Sequence, residues 1–164
     1  MPEEIANQYL TFTLHAERFA IPVAQVREIL DLVPIIRVPQ LPNFVSGVIN
    51  LRGKVLPVVD LSLKFGLAGA QKSRDTCIVV LEFSDAEGRI EVGALVDAVE
   101  EVIVLSAAEI EPPPRLGSGL KNGLIAGMGK TAQGFVILLD VDQIFASAET
   151  QLLHALPNEA ATAA

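Results

Sequence analysis

Tryptophan is absent from this 164-residue chain, and tyrosine and cysteine occur once each. Apolar residues nevertheless make up 51% of it, so the interior must be mainly aliphatic. The single cysteine, Cys77, forms no internal disulfide and suits a reducing cytosol. A chain of this length buries a core without such a staple. Positive charge is scarce: 12 Lys and Arg stand against 20 Asp and Glu, a net charge of −8. That balance argues against nucleic acid and anionic membrane as partners. No apolar run approaches the ~20 residues of a membrane span. The start, MPEEIANQYL, lacks the basic and then apolar pattern of a signal peptide. A cytoplasmic protein without membrane insertion is expected.

Catalytic and metal-binding patterns are missing too. His15 and His154 stand at no ligand spacing from Cys, Asp or Glu, so no metal site is read. Cys77 opens a β-branched run with no basic neighbour and reads as a small core hydrophobe. No GxSxG elbow occurs. GSGLKNG follows prolines and lacks a GK[ST] ending, and GMGKT precedes a strand instead of a helix, so neither cradles phosphate. Asp60, Asp97 and Asp140 each end a strand, where capping explains them. No enzyme and no cofactor is expected.

What is present is a succession of short apolar strands. GVINLRGKVLPVVDL, Gly47 to Leu61, reads as two strands (48–51 and 55–59) around a turn of Arg52, Gly53 and Lys54. Arg52 is either a solvated turn residue or a charge with a specific partner, because unpaired charge near a core is costly. Strands are also expected at 9–14, 18–23, 35–38, 77–83, 89–96, 99–105, 124–128 and 135–139. His15 to Glu17 and SDAEG are turns. Val26, Ile29 and Leu30 stand at helical spacing and predict a short helical turn. Asp60 caps a single turn that Gly66 ends. Residues 67–75 form a loop, and the proline- and glycine-rich EPPPRLGSGLKNG is irregular. From Val141 an apolar stripe of helical period predicts an amphipathic helix of about four turns, stopped by Pro157. Residues 1–8 and the alanine-rich end read as frayed.

The two halves repeat each other in order. Phe12 aligns with Phe83, Arg18 with Arg89, Val26 with Val99, Ile36 with Ile110, Gly47 with Gly123 and Asp60 with Asp140. Two similar units of about five strands follow, each expected to close into a small barrel so that neither face stays open. Their ordered part spans 8–156, and the halves divide near 67–76, either side by side or intertwined. In the second copy of the focal motif, Ala126 and Met128 replace Asn50 and Arg52, so strand–turn–strand geometry alone does not demand the polar pair. Val26 and Ile29 flank Glu28, and Val99 and Val102 flank Glu101. These side chains are either core or the lining of an apolar groove at the seam between units. Glu28 is the nearest candidate partner for Arg52.

VREIL, IIRVPQLPNFVSGVINLRGKVLPVVDL, VGALVDAVEEVIVL, IEPPP and LLDVDQIF together resemble the CheW family of bacterial chemotaxis coupling proteins. The likeness covers residues 8–150 and is most specific in NLRG…PVVDL. It implies an all-β fold of two pseudo-symmetric SH3-like five-stranded barrels with short helical turns and a C-terminal α-helix. It implies a non-enzymatic scaffold linking chemoreceptor tips to the histidine kinase CheA, whose regulatory domain shares the fold; the alternative is a ring-forming structural component or the coupling protein of a non-chemotaxis pathway such as pilus motility. It places the receptor groove at Val26, Glu28, Gly47, Arg52, Gly93, Val99 and Val102, with Glu28 and Arg52 as a pair. A longer SDAEG turn and the alanine-rich end depart from the pattern.

Overall fold

The computed structural model describes residues 7–69, 73–85, 88–112 and 124–145. The chain start, the tip of SDAEG, part of the 67–75 loop, the irregular stretch beyond 112 and the expected C-terminal helix beyond Phe145 lie outside the described residues. The first half runs β1 (Gln8–Leu14), β2 (Glu17–Pro22), β3 (Val26–Asp31), β4 (Val45–Leu51) and β5 (Lys54–Asp60). The second runs β6 (Cys77–Asp85), β7 (Gly88–Val96), β8 (Ala98–Val104), β9 (Ile110–Glu111), β10 (Ile125–Thr131) and β11 (Gly134–Leu139). Single-turn helices α1 (Leu61–Lys64) and α2 (Val141–Ile144) follow β5 and β11. Asp60 and Asp140 cap them, accepting from the amides of Leu63 at 3.3 Å and Gln143 at 3.2 Å.

The fold is all-β, in two sheets. One has the order β8-β1-β2-β11-β10-β9, the other β3-β6-β7-β5-β4. Each sheet draws strands from both halves of the chain. Hairpin β1–β2 completes the sheet of the second half, and β6–β7 completes that of the first. Parallel pairs β2–β11 and β5–β7 make the joins. Each sheet also curls back on itself. The segment after β3 bonds to β4 through Ile36 and Val48, and β9, after β8, bonds to β10.

Three expectations change. VREIL is strand β3, not a helical turn. Residues 35–38 make one bridge, at Ile36, instead of a strand. The β4–β5 turn has two residues, Arg52 at φ +52° and Gly53 at φ +85°, and Lys54 belongs to β5. Positive φ at both positions is the primed turn that matches strand twist.

The strand ladders also correct the match between halves. Phe12–Phe19 and Phe83–Ile90 pair alike, 71 positions apart (83 − 12, 90 − 19), as expected. Leu51–Lys54 and Thr131–Gly134 pair alike at 80 (131 − 51, 134 − 54). Gly47 therefore corresponds to Gly127, not Gly123, and Arg52 to Ala132, not Met128. Likewise Ile29 corresponds to Val104 and Glu28 to Ile103 (both 75), because Ile29 faces Val79 as Val104 faces Gln8. Glycines recur at 117, 119, 123, 127 and 129. Only the ladder selects the one that meets the crossing chain.

The core has three parts. Ile49, Leu56, Val58, Ile78, Val80 and Leu95 fill the β3–β7 barrel. Ala20, Leu105, Val136 and Leu138 fill the other. The largest lies between the sheets and contains Leu10, Phe12, Leu81, Phe83 and Phe145.

Gly47 shows how tightly the barrel end closes. Its φ is +142°, and a Cβ there would lie 2.1 Å from the Ile36 carbonyl oxygen. Gly53, at the turn, has open space around it. Gly47→Ala is expected to cost on the order of 3 kcal/mol, and Gly53→Ala about 1 kcal/mol. Urea denaturation of the two variants side by side checks the difference.

Candidate functional site

Edge strands β3 and β8 both carry bulges. On β3, Val26 faces Leu81 while Glu28 faces the next residue back, Val80, so Arg27 is the extra residue. On β8, Val99 faces Phe12 and Val102 faces Leu10, three residues against two. A bulge shifts alternation by one residue and re-aims the side chains beyond it. Val26 and Ile29 therefore share a face although three residues apart, and so do Val99 and Val102. Their cross-strand partners Leu81, Val79, Phe12 and Leu10 all belong to the core between the sheets. Both edge strands thus present apolar side chains toward the seam.

The seam does not bury them all. Val26 and Val99 are half-buried against the shared core. Ile29 is 45% exposed, Val102 53% and Val104 64%. Ile29 is expected either in the core or lining a groove at the seam, and its exposure takes it out of the core. Val104, missed in the sequence, is on the same face, opposite Gln8.

Glu28 points the other way. Its partner Val80 lies inside the barrel, so Glu28 stands at the barrel mouth. There Arg52 reaches it from the β4–β5 turn. Nη1 donates to Oε1 at 3.0 Å and Nη2 to Oε2 at 2.7 Å, a two-point fork. Strands β3 and β4 are the two ends of this sheet, so the pair clasps the barrel closed across its opening. Arg52 is largely exposed and Glu28 less so. The Arg52 hydrogen bonds, with help from the charges of Arg52 and Arg27, hold the Glu28 carboxyl below its usual range, and partial burial opposes them. The same bonds, with the charges of Glu28 and Glu91, raise Arg52. Asn50 builds the turn, its Oδ1 accepting from the Gly53 amide at 2.8 Å. The second copy has no such clasp: Ile103 and Ala132 occupy the two positions, and neither Ala132 nor Gln133 has positive φ.

Gly47 and Gly93 are buried. Gly47 admits the Ile36 backbone, and a Cβ on Gly93 would come within 2.7 Å of Ile78 in the barrel interior. Among the seven expected residues, the structure joins Glu28 to Arg52, sets Val26, Val99 and Val102 on the seam, and gives the two glycines packing roles.

A family model described as CheW-like domain matches residues 8–149. The chain belongs to the CheW-like family. Over 151 residues it is 33% identical to the chemotaxis protein CheW of Klebsiella aerogenes, covering 92% of this chain and 89% of that one. Over 137 residues it is 36% identical to that of Helicobacter pylori, covering 84% and 80%. The crystal structure of the scaffolding protein TtCheW from Thermoanaerobacter tengcongensis superimposes with a TM-score of 0.78 at 31% identity, covering 90% of this chain and 93% of that one. The CheW-like fold is thus supported by sequence and by backbone.

Because the Glu28 carboxyl is depressed in the folded chain, its contribution to stability is complete above the unfolded value of about 4.3. It is lost as pH falls through the folded value. The stability gap between the native protein and Glu28→Gln is therefore expected to be constant near neutral pH and to close in acid. Denaturation series at several pH values measure it.

Proposed function

We propose that this chain is a chemotaxis scaffold that couples chemoreceptors to a histidine kinase through binding contacts alone. The seam-side row of Val26, Ile29, Val99, Val102 and Val104 takes the helical tip of a chemoreceptor. The Glu28–Arg52 clasp stands on the opposite side of β3, at the barrel mouth. Barrel surfaces away from the seam meet the regulatory domain of CheA. The protein works in the cytoplasm and joins membrane-associated receptor arrays through its partners.

The observation that carries this reading is the exposure of Ile29, Val102 and Val104 on faces that otherwise build the core. Apolar surface beside a fixed charge pair suits an amphipathic helix, which supplies apolar anchors at i, i+3 and i+4 with polar flanks. The scaffolding role of TtCheW and the naming of the relatives as chemotaxis proteins support it further. Coupling requires only that the scaffold bind differently to the two receptor states, since a ligand shifts an equilibrium by its differential affinity.

Arg52→Ala and Val102→Asp are expected to weaken binding to a soluble receptor fragment carrying the tip by roughly tenfold or more. Their circular dichroism should match the native protein. Val102→Asp should leave CheA binding intact. Equal loss of both partners would assign Val102 to the fold instead of the contact. In a reconstituted assay, receptor control of the kinase should require the native protein and fail with Val102→Asp.

A further inference from the structure

A second set of charges lies behind the clasp. Glu82 and Glu91 stand directly opposite one another on β6 and β7, a relation in which like charges repel. Arg27 enters between them from β3. Its Nη1 is 3.2 Å from Glu82 Oε1 and its Nε 3.7 Å from Glu91 Oε2. Arg89 adds a contact of 3.4 Å to the other Glu82 oxygen. Arg27 is also the extra residue of the β3 bulge. The one side chain that leaves the alternation is thus the one gripped by two carboxylates.

The other barrel repeats the arrangement with different chemistry. Thr11 corresponds to Glu82 (82 − 11 = 71, the spacing of Phe12 and Phe83). Thr11 is fully buried, and its hydroxyl donates to the Glu101 carbonyl at 2.8 Å and accepts from the Glu101 amide at 3.0 Å. Those are backbone groups of the β8 bulge. Thr11 and Glu82 thus stand at equivalent places on β1 and β6, each bonded to the bulged edge strand beside it, although the β3 bulge lies one residue further along its ladder, against Leu81 and Val80.

Register gives the bulge its consequence. With β3 in register from Val26 and no bulge, Glu28 would turn into the seam and Ile29 into the barrel. We propose that Arg27, held by Glu82 and Glu91, is the positioning residue that fixes the β3 bulge and so aims Glu28 at Arg52 and Ile29 at the seam. Its bearing on coupling rests on the receptor reading above; its bearing on the clasp does not.

The double variant Glu82→Gln, Glu91→Gln tests it, because two effects act on Glu28 with opposite sign. Removing two nearby negative charges without moving β3 lowers the Glu28 titration further. Releasing Arg27 and loosening the clasp raises it toward the ordinary carboxylate value. The expected result, by carbon NMR of the Glu28 carboxyl, is a rise, together with faster exchange of the Arg52 guanidinium protons. An unchanged or lowered Glu28 titration overturns the proposal. If the double variant does not fold, Glu91→Gln alone, at the more exposed carboxylate, carries the same test of sign. Affinity for the receptor-tip fragment is measured on the same sample and should fall roughly tenfold. A raised titration with unchanged affinity supports the positioning role and overturns the clasp as a receptor contact. Lost affinity with an unchanged titration overturns the positioning role.

Discussion

The apolar layer between the two sheets is the constraint on which the rest of the structure depends. Among the described residues it holds nineteen buried side chains, against six and four inside the separate barrels. A chain without tryptophan makes that layer from aliphatic residues and a few phenylalanines, with Phe83 stacked on Phe145 at 5.1 Å and Phe12 on Phe19 at 6.1 Å. Neither barrel has comparable apolar content of its own. Neither can be completed by one half of the chain, because hairpins β1–β2 and β6–β7 each lie in the sheet built mainly by the other half. The seam is therefore the centre of the molecule, and the edge strands at its rim, β3 and β8, take their orientation from it.

Onto this near-symmetric frame the sequence places unequal side chains. The helix caps Asp60 and Asp140 and the interior pairs Leu56/Val136 and Val58/Leu138 keep the repeat. The barrel ends break it. One end carries the Glu28–Arg52 fork. Lys130 and Glu111, an ion pair at 2.6 Å, occupy the places of Asn50 and Ile36 at the other. Ile36 is left 62% exposed, so the two ends differ in both charge and apolarity. Two barrels of one architecture thereby offer different surfaces, as the proposed coupling of two partners requires.

Hairpins were legible in the sequence because alternation is a local signal, and Asp60 and Asp140 announced their caps. The residues alone make Glu28 the nearest candidate partner for Arg52, and the resemblance of NLRG…PVVDL to one family pairs the same two. Bulges were not legible, and they account for the errors that matter. Val26 and Ile29 stand three apart on one face, which reads as helical period. A strand with one extra residue produces the same spacing. The bridge at Ile36 and the choice of Gly127 over Gly123 depend on contacts between distant segments, which no local pattern encodes. Gly47 and Gly93 entered the expected set through resemblance, and packing supplies a physical reason for both.

The clasp itself contributes through geometry more than through strength. An exposed ion pair is screened and adds little to folding. Arg52 nevertheless holds a left-handed backbone conformation that a glycine or asparagine would take more readily, and such an outlier points toward function. The fork to Glu28 uses two of the five guanidinium N–H donors, so a partner's carbonyl or carboxylate can engage another without breaking the pair. Holding the guanidinium in place beforehand lowers the ordering cost of that contact. On the proposed receptor reading, a charge pair placed beside exposed Ile29 and held from behind through Arg27 favours one orientation of an incoming helix over its reverse.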